Sequence, residues 1–334
     1  MKNQAKKFVA LLLCTGLVAS VAALSACGDG RGAILIEGDF STEATAEQRA
    51  EVLEKVSSFS QHDMFEVEGE STSRNVRMYS DGVIGMEMSA SQEGMSMNYS
   101  MDMDVRADHT ITIASEQDVR GSGTMSFAMG MNVQISGAGA DSMNENMEMS
   151  FSGNTYNDVS YMYIDGSMSV TASGQSATQD GKFKMDFNSI FDQVMGETSD
   201  LSMLLPHING DGAAMFIDEG TTTKLKISFD KNAWLEIYGS ALENVAGDIS
   251  AATEQLLDAM QFNCFDLYFE LDADGALLGY GTDIDASVDT TVTVEGVSVQ
   301  VYLGMDMSSW LVNTDRAAGQ LPTDLDSYED ANML

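Results

Sequence analysis

A strict two-residue alternation of apolar and polar side chains, repeated along much of the sequence, constrains this chain more than any other feature. Met95, Met97, Tyr99, Met101, Met103 and Val105 fall on one side of an extended backbone. Ser96, Asn98, Ser100, Asp102 and Asp104 fall on the other. Successive side chains of a strand point to opposite faces, so this pattern fits a half-buried antiparallel strand and no helix. It returns at Met125, Phe127, Met129, Met131, Val133 and Ile135, and again at Met147, Met149 and Phe151. Ile284, Ala286, Val288, Val292 and Val294 form a further run. Glu295-Gly296 then predicts a tight turn into Val297, Val299, Val301, Leu303, Met305 and Met307. Asp-Gly pairs at 81–82, 165–166, 180–181, 211–212 and 274–275 are expected to act as turns between strands. Pro206 and Pro322 are the only prolines, which leaves the ladders largely uninterrupted.

Three segments carry helical spacing instead. Thr45 to Phe59 places Val52, Leu53, Val56 and Phe59 on one side. Phe187, Ile190, Phe191, Val194 and Met195 suggest a second helix. Leu242, Val245, Ile249, Ala252, Leu256, Leu257 and Met260 form a third stripe, with Glu243, Asn244, Asp248, Glu254 and Asp258 opposite. The combination predicts an α+β fold: a large curved antiparallel sheet with a few amphipathic helices packed on one face. Residues 45–330 are expected to form one domain, with a possible internal boundary near 206–212.

The first 44 residues read differently. Lys2, Lys6 and Lys7 precede an uncharged run from Phe8 to Leu24, and Leu24-Ser25-Ala26-Cys27 follows. A basic start, an apolar core and a small-residue cleavage site mark residues 1–26 as an export signal. An uncleaved membrane span is the rival reading. The run is 17 residues long, broken by Thr15, Gly16 and Ser20, against the roughly 20 that a bilayer requires. Leu-Ser-Ala-Cys resembles the lipobox of bacterial lipoproteins. That resemblance implies a diacylglyceryl group on Cys27, further acyl chains such as palmitate, and a place on the extracytoplasmic face of a bacterial cell membrane. Residues 27–44 would then be the lipidated N-terminus and a flexible tether.

The formal charge of −36 excludes nucleic acid as a partner and repels anionic lipid headgroups. Membrane association is therefore expected to come from the acyl anchor and not from a basic patch. An apolar fraction of 44% and an aromatic fraction of 8% favour a packed core over disorder. The cysteines are Cys14, Cys27 and Cys264, so a lipidated chain has no disulfide in its folded part. Cys264, within FNCFDLYF, reads as a small buried hydrophobe and not as a nucleophile.

The chain holds 25 methionines, many in Met-x-Met pairs. Three explanations compete: core filling, the lining of a cavity for a greasy ligand, and soft-metal binding. Residues i and i+2 of a strand have Cα atoms about 6.6 Å apart, too far for each pair to share one Cu(I) ion without leaning together. The cavity reading nominates Met95, Met97, Tyr99, Met101, Met103, Met125, Phe127, Met129, Met131, Met147, Met149 and Phe151 as ligand-binding residues. His62, His109 and His207 have no ligand spacing with one another, and His109 is expected to be a strand residue near a turn. Asp272-Ala273-Asp274-Gly275 starts like a calcium loop but lacks its later ligands. No nucleophile elbow, zinc-protease motif or phosphate loop is present, so neither a catalytic residue, a resident metal nor a cofactor is expected.

A lipobox, a tether, an N-terminal helix and a series of antiparallel strands interrupted by helices resemble the half-barrel lipoproteins similar to the lipoprotein localisation factor. The mycobacterial lipid-binding lipoproteins belong to that superfamily. The resemblance covers roughly Thr45 to Tyr328 and implies a curled sheet, helices over its mouth, and an apolar cavity that carries acyl chains or whole lipids. The expected function is thus non-enzymatic binding of a hydrophobic ligand by a membrane-anchored lipoprotein. A solid-core interaction lipoprotein and a methionine-based Cu(I) protein remain alternatives.

Overall fold

The computed structural model describes residues 34–56, 73–92, 95–115, 118–137, 143–186, 208, 212–233, 255, 258–294 and 297–330. The leader, Cys27, the helix expected over 187–195, most of that over 242–260, the 295–296 turn and residues 206–207 and 209–211 of the boundary near 206–212 lie outside them.

Alternation dictates the architecture. The first helix, α1 (Ala46–Val56), is followed by β1 (Arg74–Gln92), β2 (Met95–Ser115), β3 (Asp118–Gly137), β4 (Met143–Asn157), β5 (Tyr161–Ala172) and β6 (Gln175–Asp186). Then come β7 (Ala213–Glu219), β8 (Thr223–Phe229), β9 (Gln261–Leu271), β10 (Leu277–Val294), β11 (Val297–Asn313) and the two-residue β12 (Glu329–Asp330). All twelve belong to one sheet, in the order β12-β6-β5-β4-β3-β2-β1-β11-β10-β9-β8-β7. Every pairing is antiparallel except that of β12 with β6. Strands from both sides of residues 206–212 are therefore neighbours in one ladder, through β1 and β11.

The expected α+β class is corrected by this sheet. The described chain is mainly β, and its helical content is confined to α1, the 3₁₀ turn Leu325–Ser327 and short pieces. Long antiparallel strands satisfy one another's backbone groups, and one face can be buried without a layer of helices.

Helix α1 is set by a reciprocal capping box. The Gln48 amide donates to Thr45 Oγ1 at 3.3 Å, and the Thr45 amide donates to Gln48 Oε1 at 3.0 Å. Its Val52 enters the main core with Ile111, Ile113, Leu225, Phe265, Leu267 and Leu311. Arg49 ties it to β7 by donating to the Ala213 carbonyl at 2.8 Å.

Three expected turns fall inside strands. Asp81-Gly82 lies within β1, Asp165-Gly166 within β5 and Asp180-Gly181 within β6. The first two find partners on neighbouring strands that a local rule does not see, and the third is covered by Phe183 of its own strand. Asp81 is 1% exposed and accepts from Tyr79 and Arg106, while aromatic rings lie over Gly166 and Gly181. Asp274-Gly275 does turn. Asp272 Oδ1 accepts from the amides of Asp274 and Ala276, and Gly275 has φ +87°, which favours glycine.

Residues 34–45, within the segment expected to be a tether, pack on the sheet. Ile36 is 0% exposed and clusters with Tyr268 and Trp310, flanked by Leu35 and Phe40. The segment then reaches the edge of β7, where the Ala44 amide donates to the Met215 carbonyl at 2.7 Å. The C-terminal residues cross the same face on the other side. Ala318 donates to Thr112 Oγ1 at 2.8 Å, Lys182 meets Asp324 at 2.7 Å, and Tyr328 packs edge-on against Tyr163.

Candidate functional site

The register brings the methionines of separate strands side by side. Met101 of β2 stands opposite Met86 of β1 and Met131 of β3, and Met131 stands opposite Met147 of β4. In the adjacent row Met103 faces Ile84 and Met129, and Met129 faces Met149. Phe127 pairs with Phe151, Met97 with Ile135, Tyr99 with Met88 and Val133, Met125 with Gly153, and Met95 with Gly137. Directly paired side chains point to the same face, so all twelve nominated residues share one side of the sheet.

Burial divides this apolar face. Around β1 and β11, Met86, Met88, Met305 and Met307 are buried, the last three of them in closed core clusters. The twelve nominated residues on β2, β3 and β4 are all half-buried. The ladder thus passes from sealed core into a partly accessible band of thioethers and aromatic rings. Phe151 fills the space above two glycines. A Cβ on Gly153 or Gly166 would stand 3.0 or 2.8 Å from its ring. Missing side chains there let an aromatic lie flat on the sheet.

Two described concavities lie on the opposite, polar face, each about 440 Å³. One is bordered by Asp102, Asp104, Glu148 and Thr171, the other by Arg106, Asn154 and Asp165. Neither is lined by an enzyme-like triad.

The polar face also carries charge that its position in the ladder makes costly. Arg106 and Tyr79 compensate Asp81, with Tyr79 donating at 2.6 Å; burial first, then that hydrogen bond, pushes the Tyr79 hydroxyl up to about 12. Arg77 makes a two-pronged ion pair with Asp108 at 2.8 and 2.9 Å, which holds the Asp108 carboxyl below the usual range. Further along, Asp266 of β9 stands opposite Asp283 of β10, with Cys264 two residues before Asp266 on the same face. Asp283 is pushed up to about 6 by burial and then by Asp266 and Asp306. Cys264 therefore does not join the apolar core. It is half-buried among carboxylates, and burial followed by Asp283 and Asp266 raises its thiol to about 12, a poor nucleophile.

His109, expected to be a strand residue near a turn, is a strand residue, buried in β2. Its Nδ1 lies 2.9 Å from Thr155 Oγ1 and its Nε2 lies 2.7 Å from Asn157 Oδ1. Asn157 donates through Nδ2 to the Asp158 carbonyl, so its Oδ1 accepts and the histidine carries its proton on Nε2. This network is structural. The sequence signal for it is the glycine pair Gly121 and Gly123 on the intervening strand, where a Cβ would collide with the ring.

No family model matches the chain, and no curated protein matches it. Among solved structures, a β-barrel-like protein with a DUF1849 domain from Brucella abortus is 8% identical, over 68% of this chain and 97% of its own, with a TM-score of 0.19. The outer membrane protein OprG from Pseudomonas aeruginosa is 10% identical, over 74% of this chain and 97% of its own, at a TM-score of 0.15. The Pseudomonas putida toluene transporter TodX is 6% identical, over 86% and 99%, at 0.14. At such TM-scores the fold rests on the strand order and register alone. Among the described residues no helix is long and apolar enough to cross a membrane, which says nothing of strands.

Proposed function

We propose that this chain is a membrane-anchored, extracytoplasmic lipoprotein that binds a hydrophobic ligand, a lipid or acyl chain, on the methionine face of its sheet, and that it has no catalytic activity. The observation that carries this reading is the thioether ladder: Met101, Met131 and Met147 in one row, Met103, Met129 and Met149 in the next, all half-buried. Unbranched, polarisable side chains repack around partners of different shape, and six in two adjacent rows offer a continuous adaptable surface. The leader and the Leu-Ser-Ala-Cys27 sequence support the anchor. The resemblance to half-barrel lipoproteins supports the class of cargo.

Native mass spectrometry of the protein beginning after Cys27, purified without detergent, tests the reading. The expected result is an added species of lipid mass that organic extraction removes. A bare protein mass, unchanged after incubation with phospholipid vesicles, would overturn it and favour an interaction lipoprotein with a solid core.

A further inference from the structure

The patch around Cys264 is built from three strands. Cys264 and Asp266 alternate along β9, so both reach the polar face, and Asp283 stands directly opposite Asp266 on β10. The thiol sulfur and one carboxylate oxygen from each aspartate all lie within 4.8 Å of one another. Ser308 of β11 is directly opposite Asp283 on its other side. It is 3% exposed, and its hydroxyl has no hydrogen-bond partner, although it stands between Asp81 and Asp283 in the ladder. Buried hydroxyls are normally paired, so an unpaired one on the same face, in the position directly opposite Asp283, is a second and independent sign that the patch accommodates something.

The charge points the same way. Lys226 lies 2.8 Å from Asp266, yet Asp283 and, one row on, Asp285 and Asp306 crowd the same area. Such a group of carboxylates is stabilised by a cation of more than one charge.

We propose that Cys264, Asp266 and Asp283 form a binding site for a divalent cation of the zinc class, with the Ser308 hydroxyl as the fourth donor. One sulfur and three oxygens suit a borderline ion that tolerates tetrahedral coordination. Calcium takes only oxygen, and Cu(I) prefers several sulfurs. On binding, the S–H bond of Cys264 breaks, the proton leaves to solvent, and a sulfur–metal bond forms. The ion would staple β9 to β10 beside the register shift between Asp285 and Ala286. The proposal is independent of the apolar face.

The test uses the full-length protein in detergent, stripped with chelator and titrated with Co²⁺ and then Zn²⁺. One Co²⁺ per chain is expected, with a thiolate-to-cobalt charge-transfer band that Zn²⁺ removes. Cys264→Ser should abolish the band and Asp283→Asn should weaken Zn²⁺ binding at least tenfold. Asp289→Asn, at an exposed acid on the same face of β10, should change neither. In unsubstituted protein, Zn²⁺ should slow alkylation of the Cys264 peptide at least tenfold, a readout that needs no variant to fold. Absence of the band, uptake of Co²⁺ unchanged by Cys264→Ser, or alkylation indifferent to Zn²⁺ would each overturn the proposal.

Discussion

His109 donates through Nε2 to Asn157 Oδ1 at 2.7 Å, across β3, where Gly121, the residue paired with Asn157, has no side chain to intervene. A Cβ at Gly121 would stand 1.7 Å from that oxygen. Gly121→Ala must therefore break the hydrogen bond or displace β3. The expected loss is about 2–4 kcal/mol, combining overpacking with buried polar groups left unpaired. A lowered urea midpoint with an unchanged slope would show it.

The same histidine sets a pH dependence. Burial lowers its pKa from the ordinary 6.5, so the unfolded state binds more protons at mildly acid pH. Stability is then flat above about pH 7 and falls as pH drops through 6.5 toward the folded-state value. His109→Gln should lower stability throughout and remove this part of the slope, measured by urea denaturation at several pH values.

Asp81 is the most deeply buried carboxylate described, held by Arg106 and Tyr79. Asp81→Ala leaves Tyr79 without its acceptor and should cost roughly 2–3 kcal/mol. Asp81→Asn keeps an acceptor and should cost less. Tyr79→Phe, which removes one hydrogen bond, should cost about 1 kcal/mol. Thermal melts of the three variants rank them, and an equal loss in all three would contradict the arrangement.

Trp310 lies over Gly281, where a Cβ would meet its ring at 2.1 Å, and Ile36 closes that cluster from the N-terminal segment. Ile36→Ala should cost about 2–4 kcal/mol and disturb the near-ultraviolet circular dichroism of Trp310. A change within a truly free tether would do neither.

On the methionine face, Met129→Leu conserves volume and should leave lipid or probe binding within about twofold. Met129→Asp sets a charge in the ladder and should weaken binding at least tenfold. Titration with a fluorescent fatty acid distinguishes them. Equal binding by both variants would remove the ladder from the site.

The sequence by itself determined that the alternating runs are strands and which face each of their side chains takes, because a period of two is a local property of extended backbone. Met95 to Val105 and Val297 to Met307 could be divided into two faces without knowing any partner strand. Tertiary structure alone decided what each residue meets. Register across several strands placed Met101 beside Met131 and Met147, Asp283 beside Asp266, and His109 two strands from Asn157. Local turn rules placed Asp81-Gly82 at a chain reversal. Arg106, Tyr79 and the long ladders on both sides of β1 keep it extended instead. Residues 34–45 carry no periodicity, yet Ile36 is sealed against Trp310, since burial there depends on a surface that exists only after β9, β10 and β11 have paired.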